Sequence, residues 1–302
     1  MSQSSGPQTP QGVPYATLPH LVNAHGQHLF RKDWEPTLQP GQSPRALVFL
    51  SHGFKQNCLQ YDEFAKQMAT CGLKVFSHDH VGHGQSQGYR ADVTSFDVYV
   101  DDVIQHVCQV RRQHPGIPVF CVGHSMGALV TILVSLKRPD LLAGVVCTGA
   151  SLRANGEPVG WQLLCLKVLA YFYPLRIIPG TTGRRNPATR NPEKMDSDVK
   201  DPLNRHEFGN RFRVTVEGCS AIERAVAGAA SFTSPVLLLH GGDDPMVPPA
   251  ASTHFYEIIG SEDKQIKMYP GLSHEIIHEL PEDAAVVRKD IIDWIIDRLP
   301  SS

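Results

Sequence analysis

One five-residue stretch, Gly123-His124-Ser125-Met126-Gly127, restricts this chain to few folds. An apolar run, Pro118-Val119-Phe120-Cys121-Val122, precedes it, and Ala128-Leu129-Val130-Thr131-Ile132-Leu133-Val134 follows. The first run reads as a buried strand and the second as a helix. A strand must therefore become a helix within one sharp turn. Gly123 and Gly127 have no Cβ, so the chain can turn tightly and the helix can pass close to the strand. Such a turn pushes the Ser125 hydroxyl out to where a base and a substrate can reach it. G-x-S-x-G on its own is common; between a strand and a helix it is far more specific.

The rest of the chain repeats the alternation. His20–Asn23 and His28–Lys32 flank Ala24-His25-Gly26-Gln27 and read as an antiparallel hairpin. Strands are expected at 46–50, 74–79, 118–122, 144–148, 235–239 and 265–269. Helices are expected over 61–70 and 96–112, after the Ser125 turn, and over 284–298. Apolar strands of this length between helices imply a mostly parallel sheet covered on both faces. The alternation breaks between residues 151 and 230. That stretch lies between two sheet strands and reads as a cap or lid inserted over the carboxyl edge of the sheet. The expected organisation is a disordered tail over 1–14, a core over 15–150 and 231–302, and the insertion over 151–230.

Composition excludes several classes. The formal charge is -2, so no basic footprint argues for nucleic acid. The seven cysteines lack C-x-x-C spacing and read as reduced thiols of a cytoplasmic protein. The Ser/Gln/Gly/Pro-rich start reads as a polar tail and not a signal peptide. No uncharged apolar stretch reaches the ~20 residues of a membrane-spanning helix. No G-x-x-x-x-G-K-[ST] or G-x-G-x-x-G occurs, so no cofactor is expected. The run His78-Asp79-His80-Val81-Gly82-His83-Gly84 lacks the helical i, i+4 spacing of a metal site, and no metal is expected there.

A serine hydroxyl needs a base within hydrogen-bond reach, and the base needs an acid to hold its tautomer. Candidates follow the last two strands. His240-Gly241-Gly242-Asp243-Asp244-Pro245-Met246-Val247-Pro248 offers two aspartates, of which Asp244 fits G-x-x-D-x-x-V-P better. Pro270-Gly271-Leu272-Ser273-His274 offers His274, with His278 as a structural or surface rival. Either aspartate could instead cap a turn. Serine, acid, base is the chain order of the α/β-hydrolases. Both candidates sit past the carboxyl ends of strands, where open α/β sheets place their sites. An oxyanion hole needs two aimed N–H donors. The backbone of Met126 supplies one and that of Phe54, after Ser51-His52-Gly53, the other.

The insertion opens with an apolar segment over 159–173 that carries Trp161, Leu164, Leu169 and Phe172. Residues 151–230 hold twelve Lys and Arg against eight Asp and Glu, while the whole chain is slightly acidic. The plain reading is a helix buried on the sheet. A greasy, basic lid facing an anionic membrane surface is the sharper one.

Ser51-His52-Gly53, His78-Asp79-His80-Val81-Gly82-His83-Gly84-Gln85-Ser86, the Ser125 elbow and Asp201-Pro202 together resemble the monoacylglycerol lipases, serine hydrolases of the α/β-hydrolase superfamily. The similarity runs from about residue 14 to 299 and is densest before 150. It implies an α/β-hydrolase fold and a cytoplasmic enzyme docked peripherally on membranes through its cap. It implies hydrolysis of monoacylglycerol, or a related acyl ester, to fatty acid and glycerol without a cofactor. It carries over Ser125 as nucleophile, Asp244 as orienter, His274 as base, and the Phe54 and Met126 amides as oxyanion donors. A homodimer is compatible with this reading. The chain departs from the family where Phe54-Lys55-Gln56-Asn57 replaces a small residue followed by Gly-Glu-His. It departs again at Asp198, where the family places a cap tyrosine, and at Ala128, where a second glycine is usual. The alternatives are a lysophospholipase or general carboxylesterase on the same scaffold, or a silent binding protein that kept the fold.

Overall fold

A computed structural model of the protein describes residues 6–153, 160–182, 188–204 and 209–300. Strands β1 (His20–Val22), β2 (His28–Trp34), β3 (Ala46–Ser51) and β4 (Leu73–His78) come first, with helix α1 (Asp62–Thr70) between the last two. Then follow α2 (Phe96–Gln113), β5 (Val119–His124), α3 (Met126–Lys137) and β6 (Gly144–Thr148). After α4 (Trp161–Phe172), α5 (Pro192–Lys200) and α6 (Phe212–Ala227) come β7 (Val236–Gly241), α7 (Pro249–Ile258), β8 (Lys264–Tyr269) and α8 (Pro281–Ile296). The strands form one sheet of order β1-β2-β4-β3-β5-β6-β7-β8. β1 pairs antiparallel with β2, and β2 with β4. From β4 to β8 all pairing is parallel.

Every residue of β3, β4, β5, β6 and β7 is buried. Their side chains alternate between two cores, as period-2 geometry demands. Leu47, Phe49, Phe76 and Cys121 meet Tyr99 and Val103 of α2, Ile132 of α3 and Phe255 of α7. Val48, Leu50, Val75 and Val122 meet Phe64 and Met68 of α1, and Ile291 and Trp294 of α8. Each such side chain stabilises the fold by ~1.5–3 kcal/mol relative to exposure. Helices therefore cover both faces, and the carboxyl ends of the parallel strands share one edge.

Three expectations need correction. Residues 6–14, expected within a disordered tail, form a closed turn. Thr9 is buried, and its hydroxyl accepts from the Gln11 and Val13 amides. Gln8 bridges Pro14, and the buried Tyr15 hydroxyl donates to the Gln85 carbonyl. Residues 1–5 lie outside the described part. Second, the stretch 151–230 is not uniform. α4 and α5 bury no residue, whereas α6 buries Val214, Ala221 and Ala225 in the core against α2 and α3. An amphipathic face at helical spacing turns α6 into part of the sheet's cover. Third, α7 was not expected; its start is set by Pro248 and Pro249, and it buries Phe255 in the core with Tyr256 and Ile258 packed against it.

The core also holds unusual polarity. His52, His78, His80, His83, His106 and His124 are all buried. Burial lowers His52 to about 4, and His78 and His124 to about 3. Burial likewise holds His80, His83 and His106 well below the ordinary imidazole range. The unfolded chain protonates these rings below pH ~6.5 while the fold keeps them neutral. Each such ring therefore removes up to ~1.4 kcal/mol of stability per pH unit below that point. Asp79 and Asp102 oppose this in part, because burial raises them to about 6 and about 7. They take up protons in the fold before the unfolded chain does. Six rings outweigh two carboxyls. Stability is thus expected to fall steeply from pH 6.5 toward 4. Urea midpoints at pH 7.5, 6.0 and 5.0 read this directly; equal midpoints contradict it.

Candidate active site

The turn between β5 and α3 places Ser125 at a backbone conformation of φ 53°, ψ -116°. A side-chain-bearing residue there costs ~1–3 kcal/mol and persists only where its surroundings enforce it. They do so here through hydrogen bonds. The Ser125 amide donates to the Thr148 carbonyl over 2.9 Å, and the Ser125 carbonyl accepts from the Ala128 and Leu129 amides. Gly127 permits the turn: a Cβ there would lie 2.1 Å from the Ser51 carbonyl oxygen. The N-terminus of α3 thus sits directly against the end of β3.

Asp244 and His274 come together from the turns after β7 and β8. His274 Nδ1 lies 2.6 Å from Asp244 Oδ2, and both residues are buried. Asp243 is exposed on the same turn and does not take part. The other oxygen, Asp244 Oδ1, accepts from the Met246 and Val247 amides over 2.8 and 2.9 Å. His240 Nε2 lies 2.9 Å from Asp244 Oδ2, and its Nδ1 lies 2.7 Å from Ser252 Oγ. Burial pushes the Asp244 carboxyl up, but the bonds from His240 and His274 outweigh it and hold it well below the usual carboxylate range. A permanently ionised Asp244 keeps a proton on His274 Nδ1 and leaves Nε2 as a free acceptor. His274 Nε2 has no partner among the described residues, and Ser125 Oγ instead lies 3.1 Å from Ser151 Oγ. Gly149, at φ 52°, lets the chain pass under the ring: a Cβ there would be 3.1 Å from His274 Cε1.

The loop after β3 is held by its own side chains. His52 Nε2 accepts from the His80 amide over 3.0 Å, so Nδ1 carries the proton and donates to the Gly53 carbonyl over 2.8 Å. Fixing that carbonyl fixes the peptide it belongs to, and a trans peptide points its N–H the opposite way. The Phe54 N–H is therefore aimed. Gln56 Oε1 accepts from the Gly53 amide and from Tyr61 Oη, each over 2.8 Å. A neutral amide thus anchors this loop where the resemblance led one to look for a carboxylate. In the histidine-rich run, Asp79 accepts from the Cys58 and Gln85 amides, and Ser51 Oγ lies 3.0 Å from His80 Nε2. Its rings are buried packing and hydrogen-bonding groups. No set of three or more His, Cys, Asp or Glu among the described residues is arranged to hold a metal.

An ion cluster with a buried glutamate at its centre joins α5 to the turn that carries His274. Lys194 Nζ lies 2.5 Å from Asp198 Oδ1 and 3.3 Å from Glu275 Oε2, and His278 Nδ1 lies 3.2 Å from the same glutamate oxygen. Burial works against the Glu275 charge, yet Lys194 and the His278 hydrogen bond hold its carboxyl well below the usual range. His278 is thus a buried structural residue, its ring 5.0 Å from Tyr61. Asp198 also accepts from Gln60 Nε2 over 3.2 Å.

On α4, Trp161, Leu164 and Phe172 are 74%, 64% and 67% exposed, and Leu169 is 38% exposed. Val159, the first residue of the apolar segment, lies outside the described residues. Sequence reasoning missed four residues at this edge. His240 stands four before Asp244, a spacing that signals a shared partner. Glu275 and Lys194 are far apart in the chain and carried no local signal. Ser151 meets Ser125 only because β6 lies beside β5.

A mostly parallel sheet with a serine at a strained strand-to-helix turn, and an aspartate–histidine pair past its last strands, defines the α/β-hydrolase class. Residues 42–281 match the family described as serine aminopeptidase, S33. The monoglyceride lipases of Mus musculus and Homo sapiens are each 38% identical to this chain. The alignments cover 100% of this chain and 98% of the mouse protein, and 98% and 96% for the human one. A solved monoacylglycerol lipase of Paleococcus ferrophilus superposes with a TM-score of 0.78 at 26% identity, over 89% of this chain and 99% of that one. The chain belongs to the monoglyceride lipase family.

Proposed function

We propose that this chain hydrolyses the acyl ester of monoacylglycerol to a fatty acid and glycerol through an acyl-enzyme. The observation that carries the proposal is the buried Asp244–His274 pair beside a strained serine elbow, in a chain alignable end to end with monoglyceride lipases. Ser125 Oγ attacks the ester carbonyl while His274 Nε2 takes its proton. Asp244 stays ionised, orients the ring and stabilises the imidazolium that forms. The Phe54 and Met126 amides hold the oxyanion, and one such donor lowers the barrier by ~3 kcal/mol. His274 then returns the proton to the leaving glycerol oxygen. In the second half it takes a proton from water, which attacks the acyl carbon and releases the acid and Ser125 Oγ.

The cap is the substrate-facing and membrane-facing part. Trp161, Leu164, Leu169 and Phe172 on α4 form an exposed apolar patch of the kind that lies in a lipid interface. No helix among the described residues is long and apolar enough to cross a membrane, so attachment is peripheral. All seven cysteines are free, which fits the reducing cytoplasm.

Three measurements test this reading. Monooleoylglycerol should be turned over to oleate and glycerol in preference to lysophosphatidylcholine, and a fluorophosphonate should label Ser125. Ser125→Ala should abolish both, and Asp244→Asn should lower kcat by roughly 10⁴ by allowing the wrong imidazole tautomer. Faster turnover of the lysophospholipid, or full activity without the Ser125 hydroxyl, would overturn it. His52→Phe frees the Gly53–Phe54 peptide to turn. It should cost roughly 10²–10³ in kcat, the value of one oxyanion donor, with little change in KM. A folded variant with unaltered kcat would show that this peptide holds no charge in the transition state. Replacing Trp161, Leu164 and Phe172 together by Ser should lower partitioning onto phosphatidylserine-containing vesicles at least about ten-fold, given ~0.8 kcal/mol per buried methylene. Equal co-sedimentation would remove α4 as the docking element.

A further inference from the structure

We infer that Ser151 is a positioning residue that parks the nucleophile in the substrate-free enzyme and thereby sets the acylation rate. The inference rests on the reading of Ser125 as nucleophile and His274 as base. Two hydrogen-bonding claims meet at one hydroxyl. Ser125 Oγ lies 3.1 Å from Ser151 Oγ. His274 Nε2, buried and carrying a lone pair because Nδ1 donates to Asp244, has no donor among the described residues. Leaving a buried acceptor unserved is costly, so a competing bond must compensate while Ser125 points away.

Ser151 is built into place. Its amide donates to the Ser125 carbonyl over 3.2 Å, so its backbone is tied to the elbow itself. Two residues earlier, Gly149 runs beneath the His274 ring. The segment 149–151 therefore touches both reacting side chains, and it is the stretch where the chain leaves β6 toward α4. The inference requires Ser125 Oγ to leave Ser151 and turn toward His274 Nε2 before it can react.

The consequence is kinetic. Only molecules with Oγ turned toward His274 can react, so apparent reactivity is reduced by the parked fraction. One neutral hydrogen bond corresponds to about a five-fold bias. In the labelling step the Oγ–P bond forms and the P–F bond breaks. Fluoride departs while the Ser125 proton passes to His274 Nε2. Once Oγ is bonded to phosphorus or to an acyl carbon it has no proton to share, so Ser151 no longer competes and deacylation is indifferent to it.

The test is the second-order rate of fluorophosphonate labelling in Ser151→Ala, Ser151→Val and Ser151→Thr. Labelling about five-fold faster than wild type in the Ala and Val variants, with the wild-type rate kept in Thr, is expected. Val and Thr share a shape and differ by the hydroxyl, so a packing role would move them together. Decarbamoylation of dimethylcarbamoylated enzyme should be the same in all four proteins. Unchanged or slower labelling in Ala and Val, equal acceleration in Thr, or altered decarbamoylation overturns the inference. Wild-type enzyme that resists the probe at Ser125 overturns this inference and the nucleophile assignment together; labelled wild type with unaltered variants removes the Ser151 role alone.

Discussion

The close approach of α3 to the end of β3 is the constraint from which the rest of this molecule follows. Gly127 has backbone oxygen where any other residue has a Cβ, 2.1 Å from the Ser51 carbonyl. That contact is possible only if the chain turns from strand to helix within one residue, and Ser125 absorbs the turn at φ 53°. The strain is offset by the sheet around it. β5 is flanked by β3 and β6 in register, and the Thr148 carbonyl at the end of β6 takes the Ser125 amide. Move any of these strands and the hydroxyl is no longer presented. The same approach sets the first turn of α3 against Ser51 and His52, where the loop that carries Phe54 begins.

Charge at this edge is arranged by a different rule. Ionised groups are buried only in company. Asp244 is fully committed, with one oxygen on two backbone amides and the other on two histidines. Breaking such a set by removing one member leaves an uncompensated charge, which is far costlier than the set is stabilising. The histidines that fill the β3–β4 side of the site follow the opposite course. Burial keeps them neutral; His78, His80, His83 and His106 bond through one ring nitrogen and leave the other without a partner among the described residues, whereas His52 uses both. It is an acceptor at one nitrogen and a donor at the other, with a peptide plane held between them and the elbow. A lysine in its place would offer no acceptor for the His80 amide.

How much of this was legible in the chain depends on the distance over which each feature is determined. The strands of the central sheet and α2, α3 and α8 were readable because apolar period and length are local properties, and α/β alternation follows from them. That Ser125 stands at a strand-to-helix turn and that Asp244 and His274 follow the last two strands was readable because each position is set by the strand before it. Choosing Asp244 over Asp243 needed only the turn pattern, and the structure turns Asp244 inward to His274. What escaped was set by tertiary contact. The tail over 6–14 has the composition of disorder, yet the Thr9 hydroxyl closes it and Tyr15 docks it on the Gln85 loop. α6 has mixed charge, yet its small residues fit against α2 and α3. Ser151, Lys194 and Glu275 reach their partners from other elements, and no spacing in the chain announces that.

The two halves of the insertion end up with unlike mechanics, and the reason is electrostatic. α5 and its approach are bolted to the turn that carries His274. Lys194 sits between Asp198 and Glu275, and Arg190 Nε bonds Glu279 Oε2 over 3.1 Å while Glu279 Oε1 accepts the Ser273 amide over 2.8 Å. Pulling α5 away would strand Glu275 and Glu279, both buried, without counter-charges. α4 buries no residue and rests by its Leu163, Leu166 and Ala170 side on α6. Apolar contact of this kind is non-directional and tolerates sliding, whereas an ion cluster around a buried glutamate has one good geometry. The fixed half of the insertion is therefore tied to the turn that carries His274, the partner of Asp244. The α4 half presents Trp161, Leu164 and Phe172 outward.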